Sequence, residues 1–173
     1  MSPQRTDVFE LEPLQLRSGE GRRFELHVPA EDLSYGGQRY VVTPSPALVV
    51  LDVSRTTSSG YALRLRFTAH LSGPCMRCLE PADQAFEVDV REVNLPGGGE
   101  ELTSPYVNAA AELDMRAWAR DALALAVPDQ ITCREDCAGL CPICGANLNA
   151  ELEHAHEREP DPRWAALREL RLD

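Results

Sequence analysis

Lysine is absent from this chain: all 17 basic side chains are arginine. That excludes Schiff-base chemistry and catalysis by a lysine base. Also missing is any uncharged apolar run near the roughly 20 residues of a membrane span, so no membrane partner is expected. The first residues, MSPQRTDVFELEPL, lack a positive region followed by an apolar stretch, so no secretory leader is expected. No nucleophile–base pairing stands out. Gly97-Gly98-Gly99 lacks the strand, lysine and hydroxyl context of a phosphate loop. Neither an enzyme nor a small-molecule substrate is therefore expected. Positive charge is scarce as well. A formal net charge of −11 disfavours a broad phosphate-gripping surface and favours a basic protein partner.

A chain of 173 residues is long enough to bury a core without disulfide staples. Its six cysteines are clustered at ligand spacing instead of spread as a disulfide framework. With no leader expected, the expected compartment is a reducing cytoplasm, where clustered cysteines more often hold metal.

The strongest cluster runs CREDCAGLCPICGANLN, from Cys133 to Asn149. Within it, Cys141-Pro142-Ile143-Cys144-Gly145 has the form of a zinc knuckle. Two cysteines separated by two residues can aim both sulfurs at one tetrahedral ion. Pro142 stiffens the turn, and Gly145 permits a positive φ. Cys133 and Cys137 precede it at a spacing also used for zinc. Far upstream, Cys75 and Cys78 lie in GPCMRCLEP. His154 and His156 follow the cluster, so eight residues could donate to a metal, enough for one four-coordinate zinc site or two. Spacing alone leaves the pairing open. Two histidines two residues apart converge only where the chain is not helical. A thioredoxin-type reading of Cys75 and Cys78 needs a strand-to-helix junction, and this pair sits between two strands. His27 and His70 read as ordinary strand residues.

The surrounding pattern is α+β: an antiparallel β meander, packed helices and a cysteine-rich, zinc-binding C-terminal segment. Val8 to Leu16 and Phe24 to Val28 read as short strands, Gly36-Gly37 as a loop, and Pro44 and Pro46 as a boundary. Ala47, Val49, Leu51 and Val53 alternate with more polar positions. Leu63, Leu65, Phe67, Ala69 and Leu71 do so against Arg64, Arg66, Thr68 and His70. Phe86, Val88 and Val90 resume the alternation after the Cys75–Cys78 turn. Residues 95–106 read as a loop. Asp114 reads as the cap of a helix with Met115, Trp118, Ala122 and Leu125 on one side, stopped by Pro128. Asp161-Pro162 opens a last helix bearing Trp164, Leu167 and Leu170. Residues 1–128 are expected to form the scaffold, and 129–173 the zinc-knuckle segment and terminal helix packed on it.

The run Cys75, Arg77, Cys78, Leu79, Glu80, Pro81, the helix residues Trp118, Arg120, Asp121, Leu123, Leu125 and Pro128, then Cys133, Cys137, Gly139 to Gly145, Asn147 to Asn149, and Asp161 to Leu167, resembles the YceD-type family. These are large ribosomal RNA subunit accumulation proteins. The resemblance implies a non-enzymatic role in accumulation of 23S ribosomal RNA and large-subunit biogenesis. It implies a large-subunit ribosomal protein and/or the 23S ribosomal RNA precursor as partner. Many members carry a further cysteine pair where this chain has His154-Ala155-His156. Two other classes stand beside this one: a nucleic-acid-binding zinc module and a thiol–disulfide oxidoreductase.

Overall fold

The computed structural model describes residues 6–151 and 153–156. Among them are eight strands and one α-helix: β1 (Val8–Glu10), β2 (Gly21–Val28), β3 (Leu33–Tyr35), β4 (Gln38–Thr43), β5 (Ala47–Arg55), β6 (Tyr61–Pro74), β7 (Pro81–Asn94), β8 (Glu112–Asp114) and α1 (Met115–Ala126). Among the described residues the fold is mostly antiparallel β with one α-helix, as the α+β pattern implies. The helix expected to open at Asp161-Pro162, with Trp164, lies outside the described residues. The described residues divide into two compact units, the first ending at Cys137 and the second beginning at Ala138. Among them, no helix is long and apolar enough to cross a membrane.

Strand β6 organises the first unit. Its 14 residues span about 46 Å at strand rise. One edge pairs along its whole length with β7, from Tyr61↔Asn94 to Pro74↔Pro81. The other edge is shared: β5 takes Tyr61 to Arg66, and β4 takes His70 to Ser72. The register slips by three residues between those two pairings, across Pro44-Ser45-Pro46. Neither proline has an N–H to give to a ladder, which is why the chain leaves β6 there and returns. β2 extends the sheet beyond β5, and β3 beyond β4.

Alternation then makes one face apolar. Leu63, Leu65, Ala69 and Leu71 of β6 are buried with Val49, Leu51 and Val53 of β5. Met115, Trp118, Ala119, Ala122 and Leu123 of α1 join this core. Asp114 caps the helix as expected, accepting from the Ala117 N–H at 2.9 Å. Leu125 departs from expectation at 84% exposed. Ten residues beyond Met115, it falls at the margin of the apolar stripe, and Leu123 fills the core position instead.

The opposite face is ionic. Asp52 accepts from Arg23 Nε at 2.7 Å and from Arg66 Nη2 at 2.8 Å, tying β2, β5 and β6 together. Arg64 makes a two-pronged pair with Asp89 on β7. The Arg23 guanidinium holds the Asp52 carboxyl below the usual carboxylate range, with Arg66 adding to it and desolvation opposing. A depressed folded-state pKa contributes stability above the unfolded value and loses it as pH falls through the folded one. The gap in unfolding free energy between the wild type and Asp52→Asn should therefore be constant above about pH 5 and narrow below about pH 4. Denaturant titrations across that range would check this; a gap independent of pH would contradict it.

Candidate metal centres

The β6–β7 ladder ends in a proline pair, Pro74↔Pro81, and the six-residue turn between them carries the first cysteine pair. The Cys75 N–H donates to Glu80 O at 2.7 Å and the Leu79 N–H to Cys75 O at 3.0 Å. The Arg77 N–H points at Cys75 Sγ, 3.4 Å away. The base of the turn is fixed by Tyr40, whose hydroxyl donates to Pro74 O at 2.8 Å. Its ring lies so close over Gly73 that a Cβ there would sit 2.4 Å from Tyr40 Cδ1. Only glycine fits at that position.

Cys133 and Cys137 reach this turn because the chain after α1 is laced to it. The Met76 N–H donates to Ile131 O at 2.8 Å, and Gln84 Nε2 donates to Thr132 O at 2.7 Å. Ile131 is itself fully buried. The Sγ atoms of Cys75 and Cys137 are then 3.8 Å apart, and those of Cys78 and Cys133 3.6 Å. All four sulfurs lie within 4.8 Å of one another, and all are free thiols. A tetrahedron with zinc–sulfur bonds of about 2.3 Å has an edge of about 3.8 Å. The donor set therefore fits such an ion. Desolvation opposes the Cys75 thiolate, but N–H groups of Cys78, Arg77 and Cys133 outweigh it and bring its pKa to about 6. Desolvation and the neighbouring thiols Cys78, Cys137 and Cys75 push Cys133 up to about 12. One thiol is lowered and another raised, as expected of four acids sharing one small volume.

The second quartet repeats the knuckle in the second unit. The Cys141 N–H donates to Ala146 O and the Gly145 N–H to Cys141 O, both at 2.8 Å, and the Ile143 N–H faces Cys141 Sγ at 3.4 Å. Asn149 closes the loop by accepting from the Ala138 N–H at 2.7 Å. Residues 154–156 are neither helix nor strand, which is the condition for two histidines two apart to converge. His154 Nε2 lies 3.2 Å from Cys144 Sγ, and His156 Nε2 3.3 Å from Cys141 Sγ. The two Nε2 atoms are 2.9 Å apart. Glu151 Oε2 is 2.9 Å from His154 Nδ1. A proton held there leaves the Nε2 lone pair free for a metal. N–H groups of Cys144 and Ile143 lower the Cys141 thiol to about 6. The Cys141 sulfur raises the pKa of His154 against desolvation, with Glu151 adding to it.

All eight residues singled out in the sequence are thus gathered, as Cys75, Cys78, Cys133, Cys137 and as Cys141, Cys144, His154, His156. Spacing could not supply that pairing. Glu151 was missed, although an acidic residue three before a histidine is a readable signal. The support from Tyr40 and Gly73 has no local signal. His70 is a strand residue whose Nδ1 lies 3.2 Å from Asp83, and His27 lies on β2, as expected.

A family model described as large ribosomal RNA subunit accumulation protein YceD matches residues 63–171. Uncharacterized proteins of Mycobacterium bovis and Mycobacterium tuberculosis are 31% identical over 98% of this chain and 82% of their own length. An uncharacterized protein of Mycobacterium leprae is 28% identical over 94% of this chain and 76% of its own. No solved structure matches.

The core of β5 and β6 contains none of the donor residues, whereas residues 131–151 and 153–156 carry six of the eight. Hydrogen exchange during chelation should show those residues losing protection before β5 and β6 do. Simultaneous loss in both would contradict this.

Proposed function

The chain belongs to the YceD family of large ribosomal RNA subunit accumulation proteins, and from that membership we propose a non-enzymatic, zinc-stabilised cytoplasmic factor for accumulation of 23S ribosomal RNA and biogenesis of the large ribosomal subunit. The observation that carries this reading is the family match itself, which spans all eight donor residues. Zinc is held by Cys75, Cys78, Cys133 and Cys137 in one centre and by Cys141, Cys144, His154 and His156 in the other. When bound it supplies cross-linking and charge neutralisation. Four protein donors close a tetrahedral site and leave no position for a water or substrate, which suits structure and not catalysis.

The partner that meets the factor is a basic large-subunit protein in preference to bare RNA. The arginines on the polar sheet face support this. Arg64 is engaged by Asp89, and Arg66 by Asp52. They offer few free charges to phosphates, and phosphate affinity scales with the number neutralised. The field of a chain with net charge −11 attracts a basic protein as a whole. A thiol oxidoreductase is less well supported, although Cys75 has a depressed pKa. Its sulfur sits in a fully buried residue, out of reach of an incoming disulfide.

The test compares binding at two salt concentrations, with 23S ribosomal RNA in one arm and purified basic large-subunit proteins in the other. The protein arm should bind, more weakly at high salt. Tight RNA binding by the pure protein, abolished by Arg64→Ala with Arg66→Ala, would overturn the protein-mediated route.

A further inference from the structure

The two knuckles are one structure written with different residues. In each, the residue four after the first cysteine donates its N–H back to that cysteine's carbonyl. In each, that residue has a left-handed backbone: φ is +76° at Gly145 and +64° at Leu79. Glycine adopts this conformation without steric cost, whereas a leucine pays for it. Packing could offset such a cost, yet Leu79 is 59% exposed while Cys75 and Cys78 on either side of the turn are buried. Beside it is an open depression of about 580 Å³ lined by Ser72, Gly73, Pro74, Leu79, Pro81, Ala82 and Asp83. A strained backbone bearing an exposed apolar side chain, next to an apolar hollow, is the pattern of a site maintained for contact.

The charges around the knuckle select the occupant. Two carboxylates, Glu80 and Asp83, stand against Arg77, which has no ion-pair partner among the described residues, and the imidazole of His70, whose Nδ1 lies 3.2 Å from Asp83. Glu80, like Arg77, has no ion-pair partner among them. This net-acidic rim repels phosphates, and leucine offers no ring for a base to stack on, so RNA is disfavoured. A second copy of a chain with charge −11 is disfavoured by the same field.

We infer that Leu79 anchors a docking surface at the tip of the first knuckle, which takes an apolar side chain carried on a basic segment of another protein. This rests on the protein-mediated reading above and names the surface that would serve it. Leu79→Gly removes the side chain and relieves the left-handed strain in one step. Leu79→Ala removes most of the side chain and keeps the strain.

Each basic large-subunit protein that binds the wild type is titrated against both full-length variants, alongside melting curves and metal content. Both variants should bind about 10- to 100-fold more weakly, the loss typical of an apolar anchor. Leu79→Gly should nevertheless melt at or above the wild-type temperature and retain its metal. Binding by Leu79→Gly within twofold of wild type would overturn the inference and leave the protein-mediated reading standing. Lost binding accompanied by lost metal and a lower melting temperature would also overturn it, showing Leu79 to be structural. Wild-type self-association abolished in Leu79→Gly would assign the surface to a second copy instead. If the wild type binds none of the basic proteins, the underlying reading fails and takes the inference with it.

Discussion

Four thiols within 4.8 Å of one another cannot all ionise without a cation between them, because each thiolate raises the cost of the next. That constraint governs the end of the β6–β7 hairpin, where the four sulfurs meet. Cys75 and Cys78 are delivered by the end of a 14-residue ladder whose register is pinned by alternation. Cys133 and Cys137 are delivered by a segment bonded to the same hairpin through Met76 and Gln84. The protein thus assembles the donors through the sheet and through the bonds of Met76 and Gln84, and a bound cation would make the arrangement electrostatically stable. In the second unit the same knuckle is built with no named strand among the described residues. Asn149 and Glu151 supply the local bonds there, and two of its four donor residues, Cys144 and His156, are exposed.

The rest of the charge follows a different rule. On the open face of the sheet, basic and acidic residues are matched across strands, as at Arg23–Asp52–Arg66 and Arg64–Asp89. Cross-strand pairs of this kind fix register and engage Arg23, Arg64 and Arg66, which then offer less charge to phosphate. The excess negative charge remains elsewhere, as a field able to steer a basic protein toward the molecule. For an acidic chain in a family linked to ribosomal RNA, this distribution of charge is the basis for proposing that a basic protein meets it first.

Much of this is legible in the sequence wherever the signal is local. Period-two alternation marked β5, β6 and β7. Asp114 announced the start of α1, and the spacing of Cys141 and Cys144 announced a knuckle. What was not legible depends on residues distant in sequence. The sharing of one β6 edge by β4 and β5 is a consequence of tertiary pairing around Pro44 and Pro46. The grouping of Cys133 and Cys137 with Cys75 and Cys78, and not with their nearer neighbours, is set by bonds from Ile131 and Thr132 to the hairpin. Nothing in the spacing of leucines marked Leu79 as left-handed; a glycine there would have been noticed, and its replacement hid the turn. Leu125 was misplaced because a helical stripe has edges, and a residue at the edge in the last turn can face solvent.

The central claim is that each quartet holds its own zinc ion. Elemental analysis of freshly purified protein, never exposed to chelator, tests it most directly. The wild type should contain two zinc ions per chain, Cys75→Ser should keep the ion of the second quartet, and Cys141→Ser that of the first. A wild-type protein free of zinc, or one whose entire metal content vanishes with either single substitution, would contradict the account.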